Sequence, residues 1–282
     1  MKDKLFIILQ YILPQHALSA AMHKVARCTK PWFKHFLITR FIQHFQVNMA
    51  EANEPNPGEY KSFNDFFTRS LNEHARTLES DPSSIACPVD GCISQIGDIT
   101  NGQLFQAKGK HFNLSALLGA DAKTSDFEDG LFTTIYLSPK DYHRIHFPND
   151  GKLTKMLHIP GDLFSVNPTT VENVDELFAR NERVVAFFDT PAGPMAMVMV
   201  GAIFVASIET VWHGEVTPPR HNQVRSWTYK PEEKSFNKND EMARFNMGST
   251  IVLLYGKDNI AWAEGLEAEQ TVRHGQVIGS IK

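Results

Sequence analysis

The stretch Phe245–Tyr255 reads FNMGSTIVLLY, in which a Gly-Ser-Thr corner leads directly into an apolar, β-branched run. A run of this kind, bounded by turn residues, predicts a buried β-strand that begins at Ser249. A turn alone is a sufficient explanation of Gly-Ser-Thr in many proteins, because small polar residues are common wherever a chain reverses. Whether Ser249 does more than begin a strand therefore depends on the rest of the sequence.

The C-terminal part of the chain is built from similar short runs. From about Ile85 onward, β-branched and aromatic runs alternate with Gly, Pro, Asn and Asp, which predicts a mainly antiparallel β body over residues 85–282. The other runs are LFTTIYL (131–137), LTKMLHI (153–159), RVVAFFD (183–189), MAMVMVGAIFVASIETV (195–211) and QTVRHGQVIGSI (270–281). We expect an α+β fold with its helices concentrated at the N-terminal end.

The segment Trp32–Val47, WFKHFLITRFIQHFQV, has the periodicity of an amphipathic helix, with basic residues and histidines on its polar side. A helix packed on the protein's own core and a helix lying on a membrane both fit this pattern. The Pro- and Asn-rich stretch after it predicts an exposed linker, and FNDFFTRSL (63–71) predicts a short helix. We therefore divide the N-terminal part into a helical segment, 1–50, and a linker with a short helix, 51–84.

Charge is distributed unevenly along the chain. Residues 1–50 contain seven basic side chains and one acidic one, a net charge of +6, whereas the whole chain has −4 and the remainder therefore −10. A basic, apolar segment on an acidic body favours an anionic partner. Nucleic acid is disfavoured, because the segment is rich in Leu, Ile and Phe and has no dense Arg/Lys cluster. The charge thus favours an anionic membrane surface and an interfacial helix.

Two further features concern the compartment. The apolar run Leu5–Leu13 is interrupted by Gln10 and stopped by Pro14, and it is far shorter than the roughly 20 residues that span a bilayer. We expect neither a secretion signal nor a transmembrane helix. The three cysteines form no CxxC pair, which disfavours a disulfide scaffold or a zinc ribbon and favours a reducing compartment.

Three polar islands interrupt the β-rich sequence. They are Asp90 in PVDG (88–91), the pair His143 and His146 in SPKDYHRIHFP (138–148), and Gly248–Ser249 in MGST. An Asp, a His and a Ser that meet in space can activate a serine nucleophile. Each island also has a plain structural explanation, such as an Asx turn at Asp90. The two histidines could be half a metal site, but no further ligands follow at metal-like spacing, and we expect no metal.

Taken together, the islands and their surroundings resemble the phosphatidylserine decarboxylases of the bacterial membrane-associated, pyruvoyl-dependent type. The resemblance runs nearly end to end and rests on long motifs in the same order. They are LQYILP (9–14), FNDFFTRSL (63–71), PVDG (88–91), DYHRIHFP (141–148), PGDLFSVNP (160–168), LFARNERVV (177–185), GAIFVASIETVW (201–212), TPPR (217–220) and DEMARFNMGST (240–250). The usual LGST motif of that family reads MGST here.

The resemblance implies a zymogen that cleaves itself between Gly248 and Ser249, giving a β chain of residues 1–248 and an α chain of residues 249–282. Ser249 would attack the Gly248 carbonyl, with His146 as general base oriented by Asp90. β-Elimination and hydrolysis would then turn Ser249 into a covalent pyruvoyl cofactor. The residues alone do not choose between His143 and His146 as the base; the family pattern assigns that role to the second histidine.

The resemblance also implies the reaction. The pyruvoyl group would form a Schiff base with phosphatidylserine, release CO2 and leave phosphatidylethanolamine, with His143 as proton donor or carboxylate contact. The enzyme would lie peripherally on the cytoplasmic face of the cell membrane, as an αβ heterodimer that dimerises further. PVDGCISQIG (88–97) and VRHGQVIGSI (272–281) resemble biotinyl/lipoyl-like barrel sandwiches, in fold only, since no lysine occupies the carrier position.

Two other readings of the residues remain. A lipid or amide hydrolase with a Ser-His-Asp triad would keep Ser249 as a serine and would remain one chain. A non-enzymatic, membrane-bound β domain would undergo no chemistry at Gly248–Ser249.

Overall fold

The computed structural model describes residues 2–120, 122–204, 207–218, 222–230, 232–246 and 249–282. Within these ranges the fold is α+β, as predicted, with three longer helices at the N-terminal end. The helices are α1 (Lys2–Ile12), α2 (Gln15–Ala26), α3 (Pro31–Phe45), α4 (Phe63–Phe67), α5 (Leu114–Leu118), α6 (Pro168–Asn173) and α7 (Leu177–Arg180).

The predicted amphipathic helix is present as α3, which begins at Pro31 and ends at Phe45. Proline suits the first turn of a helix, and Gln46 ends it in the left-handed conformation with a φ of 58°. The short helix predicted after the linker is also present, as α4, whose start is capped by the Ser62 hydroxyl. Packing of α3 on α4 forms a small aromatic core that includes Phe41, Phe63 and Phe66.

Two glutamines attach the N-terminal helices to the β body. Gln10 Oε1 accepts a hydrogen bond from the Ser165 amide (2.7 Å), and Gln10 Nε2 donates to Thr170 Oγ1 (3.1 Å). Gln15 Oε1 accepts from the Leu163 amide (2.6 Å). The polar residue that interrupts the first apolar run is therefore an anchor to the PGDLFSVNP motif.

A helix needs about 20 mostly apolar residues to span a bilayer. No single helix among the described residues is long and apolar enough to cross a membrane. The pair formed by residues 3–12 and 15–26 passes the same test together, but its two helices are bent by 86° at the break.

Eighteen strands follow in the described part of the chain, and every pairing between them is antiparallel. They are β1 (Ser84–Ala86), β2 (Gly91–Asp98), β3 (Gln103–Ala107), β4 (Lys110–Asn113), β5 (Leu131–Leu137), β6 (Arg144–His146), β7 (Gly151–Ile159), β8 (Arg183–Thr190), β9 (Gly193–Val200), β10 (Ile208–Thr210), β11 (Gly214–Thr217), β12 (Arg225–Thr228), β13 (Ser235–Phe236), β14 (Glu241–Phe245), β15 (Ser249–Tyr255), β16 (Ile260–Trp262), β17 (Thr271–Val272) and β18 (Val277–Ile281).

The largest sheet has the strand order β12-β7-β8-β9-β15-β5-β2-β17, with β13 added beside β7. A second sheet, β11-β10-β14-β6, and a third, β1-β18-β16, cover parts of it, and β3 and β4 form a separate hairpin. Within the described residues the large sheet does not close, since β12 and β17 are its two ends. The barrel-sandwich likeness therefore stays a prediction.

The strand predicted from FNMGSTIVLLY lies in the middle of the large sheet as β15. It pairs with β9 on one side and β5 on the other, and all seven residues are buried. Its side chains alternate between two apolar cores: Ile251 and Leu253 enter one, and Val252 and Leu254 enter the other. Burial on both faces explains why the run is continuously apolar instead of alternating.

Candidate active site

Ser249 begins β15 at a completely buried position. Its Cα lies opposite that of Leu137 on β5, and its side chain is 0% exposed. By the alternation along β15, Ser249 shares a face with Ile251. The core on that face also contains Val89 and Ile145, the chain neighbours of Asp90 and His146. Because the Ser249 hydroxyl has no hydrogen-bond partner among the described residues, this buried polar group requires an explanation beyond strand initiation.

Backbone hydrogen bonds bring the polar islands together at this end of β15. The His146 amide donates to the Pro88 carbonyl (2.9 Å), and the Phe245 amide donates to the His143 carbonyl (3.1 Å). Strand β6, which carries His146, pairs with β14, which leads toward Ser249. The PVDG turn, the two histidines and the segment before Ser249 are therefore neighbours. Gly248, the other half of the predicted cleavage site, lies outside the described residues.

His143 is fully buried and has one free nitrogen. Its Nδ1 lies 2.8 Å from the Asp141 carbonyl oxygen, which can only accept, so Nδ1 carries the proton and Nε2 is left as an acceptor. Nε2 has no partner among the described residues. Burial lowers the pKa of His143 to about 3, so the ring is neutral at physiological pH. His143 thus presents an unpaired basic nitrogen.

Both ring nitrogens of His146 are occupied. Nδ1 donates to the Asn239 carbonyl oxygen (2.8 Å), which leaves Nε2 to accept from the Tyr142 hydroxyl (2.9 Å). Burial is the main cause that lowers the pKa of His146, and the carboxylates of Glu241 and Asp90 oppose it. His146 is therefore a neutral base whose Nε2 lone pair accepts a hydrogen bond from the Tyr142 hydroxyl.

Asp90 is held by an arginine and a backbone amide. Arg76 donates from Nε to Asp90 Oδ1 (3.0 Å) and from Nη2 to Oδ2, and the His274 amide donates to Oδ1 (2.9 Å). Arg76 also pairs with Glu51 (2.8 Å). The Arg76 and Asp90 side chains are only 6% and 10% exposed, so the carboxylate is buried with its counter-charge.

The structure thus gathers Asp90, His143, His146 and Ser249 in one region without linking them into a chain. Among the described residues, no hydrogen bond joins Ser249 to either histidine or His146 to Asp90. The Asp90 charge nevertheless reaches His146, whose pKa it raises. The assignment of Asp90, His146 and Ser249 as a self-cleavage triad stays a prediction.

Three residues of this region were not singled out from the sequence: Arg76, Tyr142 and His274. The His274 ring stacks on His146, with centroids 3.8 Å apart and planes inclined by 21°. Arg76 lies in the segment assigned to a linker, and His274 in a turn between β17 and β18. Of the three, only Tyr142 could have been found from the sequence, because a hydroxyl that lies beside two histidines in the chain is a natural hydrogen-bond partner for one of them.

Two cavities flank the region. An apolar cavity of about 470 Å³ lies between the N-terminal helices and the β body, with walls that include Met22, Phe41, Phe63, Phe67, Pro139 and Phe204. A polar cavity of about 230 Å³ is lined by charged and polar groups that include Arg69, Arg76, Asp90, Lys140, Tyr142 and Arg273. The Phe67 ring contacts the imidazole of His143, with centroids 4.1 Å apart, which connects the apolar cavity to the histidine.

The N-terminal helices carry apolar side chains on the outside of the molecule. Trp32 is 71% exposed, Ile12 73% and Phe36 53%, and Leu5, Ile8, Leu9 and Tyr11 are exposed as well. Exposed basic residues lie on the same helices or beside them, at Lys4, Lys24, Lys30 and Arg40. A basic surface with this many exposed apolar side chains is typical of a site that binds a membrane or another protein.

Comparison with known proteins gives a consistent family. A family model described as phosphatidylserine decarboxylase matches residues 63–280, and a model described as PSD matches residues 5–46. The chain is 51% identical over 280 residues to a protein from Methylococcus capsulatus, covering 99% of this chain and 97% of that one. It is 52% identical over 283 residues to a protein from Saccharophagus degradans, covering 100% and 99% of the two chains. A protein from Shewanella baltica is 52% identical over 285 residues, covering 99% of this chain and 98% of its own. All three relatives are named phosphatidylserine decarboxylase proenzyme.

Proposed function

Because the chain belongs to the phosphatidylserine decarboxylase family, we propose that it is made as a proenzyme and cleaves itself before converting phosphatidylserine to phosphatidylethanolamine and CO2. Decarboxylation is the activity that the names of its relatives give. The observation that carries the self-processing is the buried Ser249 hydroxyl without a partner, at the start of the central strand. A serine that is consumed during maturation has no need of a permanent hydrogen bond.

The processing reaction uses groups of the chain and one water. Ser249 Oγ loses its proton to a base and attacks the Gly248 carbonyl carbon, and the peptide bond gives way to an ester. Removal of the Ser249 α-proton expels Gly248 as a carboxylate and leaves a dehydroalanine. Water then replaces the nitrogen, which leaves as ammonia, and the new chain begins with a pyruvoyl group. Serine suits these reaction steps because its oxygen is first the nucleophile and then the leaving atom.

Two histidines compete for the role of base. The resemblance assigns it to His146 with Asp90 as orienting carboxylate, and the pKa effect of Asp90 on His146 supports that assignment. To accept a proton at Nε2, His146 must first release the Tyr142 hydroxyl. His143 is the other candidate, because its unpartnered Nε2 needs no such release. We retain His146 as the base and assign His143 to the substrate reaction.

The surroundings of Ser249 fit a pyruvoyl group. The Ser249 hydroxyl and Nε2 of His143 are both buried polar atoms without partners among the described residues. The pyruvoyl group supplies a carbonyl that condenses with the substrate amine and withdraws electrons from the bond to the departing carboxylate. With a pKa of about 3, His143 is neutral, so it must take up a proton before it can deliver one.

The apolar cavity and the exposed helices support a lipid substrate. A two-chain lipid leaves the bilayer only at a cost of about 0.8 kcal/mol per exposed CH2. An enzyme that keeps its substrate in the bilayer must therefore lie on it. We assign the surface of α1–α3 to an anionic membrane, with the enzyme bound peripherally to the cell membrane on its cytoplasmic side.

We further propose that the two product chains remain together. The segment 249–282 contributes β15 to the centre of the large sheet, β17 to its edge, and β16 and β18 to the third sheet. Breaking the Gly248–Ser249 bond removes none of these strand pairings. Association of two αβ units is a further expectation from the family.

An intact-mass measurement of purified wild-type protein and of Ser249→Ala tests the self-processing. We expect two chains from the wild type, residues 1–248 and residues 249–282, the second beginning with a ketone that reacts with hydroxylamine. Ser249→Ala should give one uncleaved chain. A wild-type chain that stays intact, still acts on lipid and is inactivated by serine-directed phosphonates would instead identify a hydrolase with Ser249 retained.

A further inference from the structure

The imidazole of His274 covers one face of His146. The two rings are nearly parallel, inclined by 21°, with centroids 3.8 Å apart, and His274 is only 5% exposed. His274 also lines a surface cavity of about 440 Å³ formed with residues 75–79. The stacked ring therefore covers one face of His146 at a position close to the surface.

The turn that carries His274 is fixed by its backbone. The Gly275 amide donates to the Cys87 carbonyl (3.0 Å), and the Cys87 amide donates to the Gln276 carbonyl (2.7 Å). Gly275 has a φ of +83°, and a Cβ there would lie 2.7 Å from Leu78. The His274 amide also bonds Asp90, a contact that side-chain substitution leaves in place. The backbone that carries the ring is thus held by contacts that do not involve the His274 side chain.

We propose that His274 is a positioning residue for self-processing: its neutral ring holds His146 in place by stacking and keeps water from that face, so that His146 stays an unprotonated base. The proposal rests on the proposed role of His146. His274 belongs to the segment after the cleavage site, so that segment would supply both the nucleophile and the residue that supports its base.

Electrostatics agrees with this role. Burial lowers the pKa of His274 to about 3, with a further contribution from His146, so His274 stays neutral and adds no charge beside the base. Other charged and titratable groups also act on the two rings, and they remain in place when the His274 side chain is replaced. Those acting on His146 are Tyr142, Asp90, Glu241 and Arg144, and those acting on His274 are His146 and Arg76.

Replacement of His274 by alanine should expose the covered face of His146. Water there would relieve part of the desolvation that lowers the pKa of His146, and the pKa should rise by about half a unit or more. Replacement by phenylalanine keeps a flat ring in contact and excludes water, so it should leave the pKa unchanged. Glutamine fills the space without a ring and should behave like alanine.

The test uses full-length Ser249→Ala protein, which cannot process, with histidine side chains labelled for NMR. The pKa of His146 is measured in this background alone and with H274A, H274Q or H274F, after circular dichroism has shown that each variant is folded. The proposal expects H274A and H274Q to raise the pKa and H274F to leave it within about 0.2 units. It is overturned if H274F raises the pKa as much as H274Q, or if neither H274A nor H274Q changes it.

Processing of chains with intact Ser249 gives a second readout. When the pH is lowered from 8 to below the pKa measured for His146, the rate of cleavage should fall further for H274Q than for wild type or H274F. The difference should be up to about threefold, which is the half-unit shift expressed as a rate. Equal falls for all three would contradict the proposal. If the wild type does not process at all, the proposed function fails, while the NMR titration still decides the role of His274.

Discussion

The ring of Phe67 packs against the imidazole of His143, with centroids 4.1 Å apart and planes inclined by 42°. Phe67 also lines the apolar cavity between the N-terminal helices and the β body. One aromatic ring therefore separates the space suited to a hydrocarbon chain from the free nitrogen of His143. The arrangement fits the proposed action of the β body on a lipid substrate.

The buried neutral histidines predict how stability depends on pH. His143 and His274 have pKa values of about 3 when folded, whereas an unfolded histidine titrates near 6.5. Between these values the unfolded chain binds more protons, so the free energy of unfolding is highest above pH 6.5 and falls below it. The slope is about 1.4 kcal/mol per pH unit for each histidine.

Urea unfolding of Ser249→Ala between pH 7 and pH 5 measures this slope. His274→Phe in the same background removes one titrating group and keeps the ring packing. The slope of its unfolding free energy against pH should therefore be smaller by up to about 1.4 kcal/mol per pH unit, the contribution of one histidine. An identical slope in both proteins would contradict the assignment.

Arg76 is expected to be essential for the stability of the precursor. Arg76→Met leaves the buried Asp90 carboxylate without its counter-charge, which typically costs about 3–5 kcal/mol. The control is Arg273→Met, since Arg273 pairs with Glu51 but is 59% exposed, and loss of such a pair costs about 0–1 kcal/mol. Denaturant unfolding compares them. The double variant R76M/D90N should recover part of the unfolding free energy that R76M loses, because it removes the unpaired charge. Equal losses in R76M and R273M would show that the Arg76–Asp90 pair is no more important than a surface pair.

Tyr142→Phe tests whether His146 is the base for cleavage. The substitution removes the hydroxyl that occupies His146 Nε2 and so frees the lone pair. A net hydrogen bond is worth about 1 kcal/mol, so processing should become up to about fivefold faster. The time course of cleavage, followed by intact mass, gives the rate, with Tyr229→Phe at the far edge of the large sheet as control. An unchanged rate would favour His143 as the base.

The exposed aromatic residues of α3 should carry membrane affinity. Replacing Trp32 and Phe36 by serine removes two side chains that can each contribute about 1.5–3 kcal/mol on burial. Cosedimentation with phosphatidylserine vesicles should therefore weaken by about tenfold or more. Phe105→Ser, at a 37% exposed site on β3, should bind like the wild type. Equal loss in both variants would remove the membrane assignment of α3.

Charge makes a separate contribution to the same binding. Glutamine at Lys4, Lys24, Lys30 and Arg40 should weaken vesicle binding by about 1 kcal/mol per residue at low salt. The loss should shrink at high salt and be absent on uncharged phosphatidylcholine vesicles. Binding that is unchanged at moderate salt would contradict a docking role for the basic residues.

The elements whose bounds the sequence predicted well are strands that lie in the interior of the large sheet. The run at Ser249–Tyr255 forms a strand with those bounds, and all seven of its residues are buried. LFTTIYL (131–137) does so too, with every residue buried except the partly buried Leu131 and Tyr136. The boundaries of the 195–211 run were less accurate: it divides into strands ending at Val200 and beginning at Ile208.

The polar contacts of the site were harder to predict. Asp90 meets Arg76, which lies in the segment assigned to a linker, and His274, which is 184 residues away along the chain. No local period or motif encodes such contacts, because they join segments that are far apart in the sequence and meet only in the folded chain. The motifs therefore identified Asp90, His143, His146 and Ser249, while their partners required the structure.

The central claim is tested most directly by supplying vesicles of phosphatidylserine labelled at the serine carboxylate and measuring labelled CO2, phosphatidylethanolamine and lysolipid together. We expect the wild type to release one CO2 for each phosphatidylethanolamine formed and no lysolipid, and Ser249→Ala to form neither product. Phosphatidylethanolamine formation by the uncleaved Ser249→Ala chain, or lysolipid without CO2 from the wild type, would contradict the account.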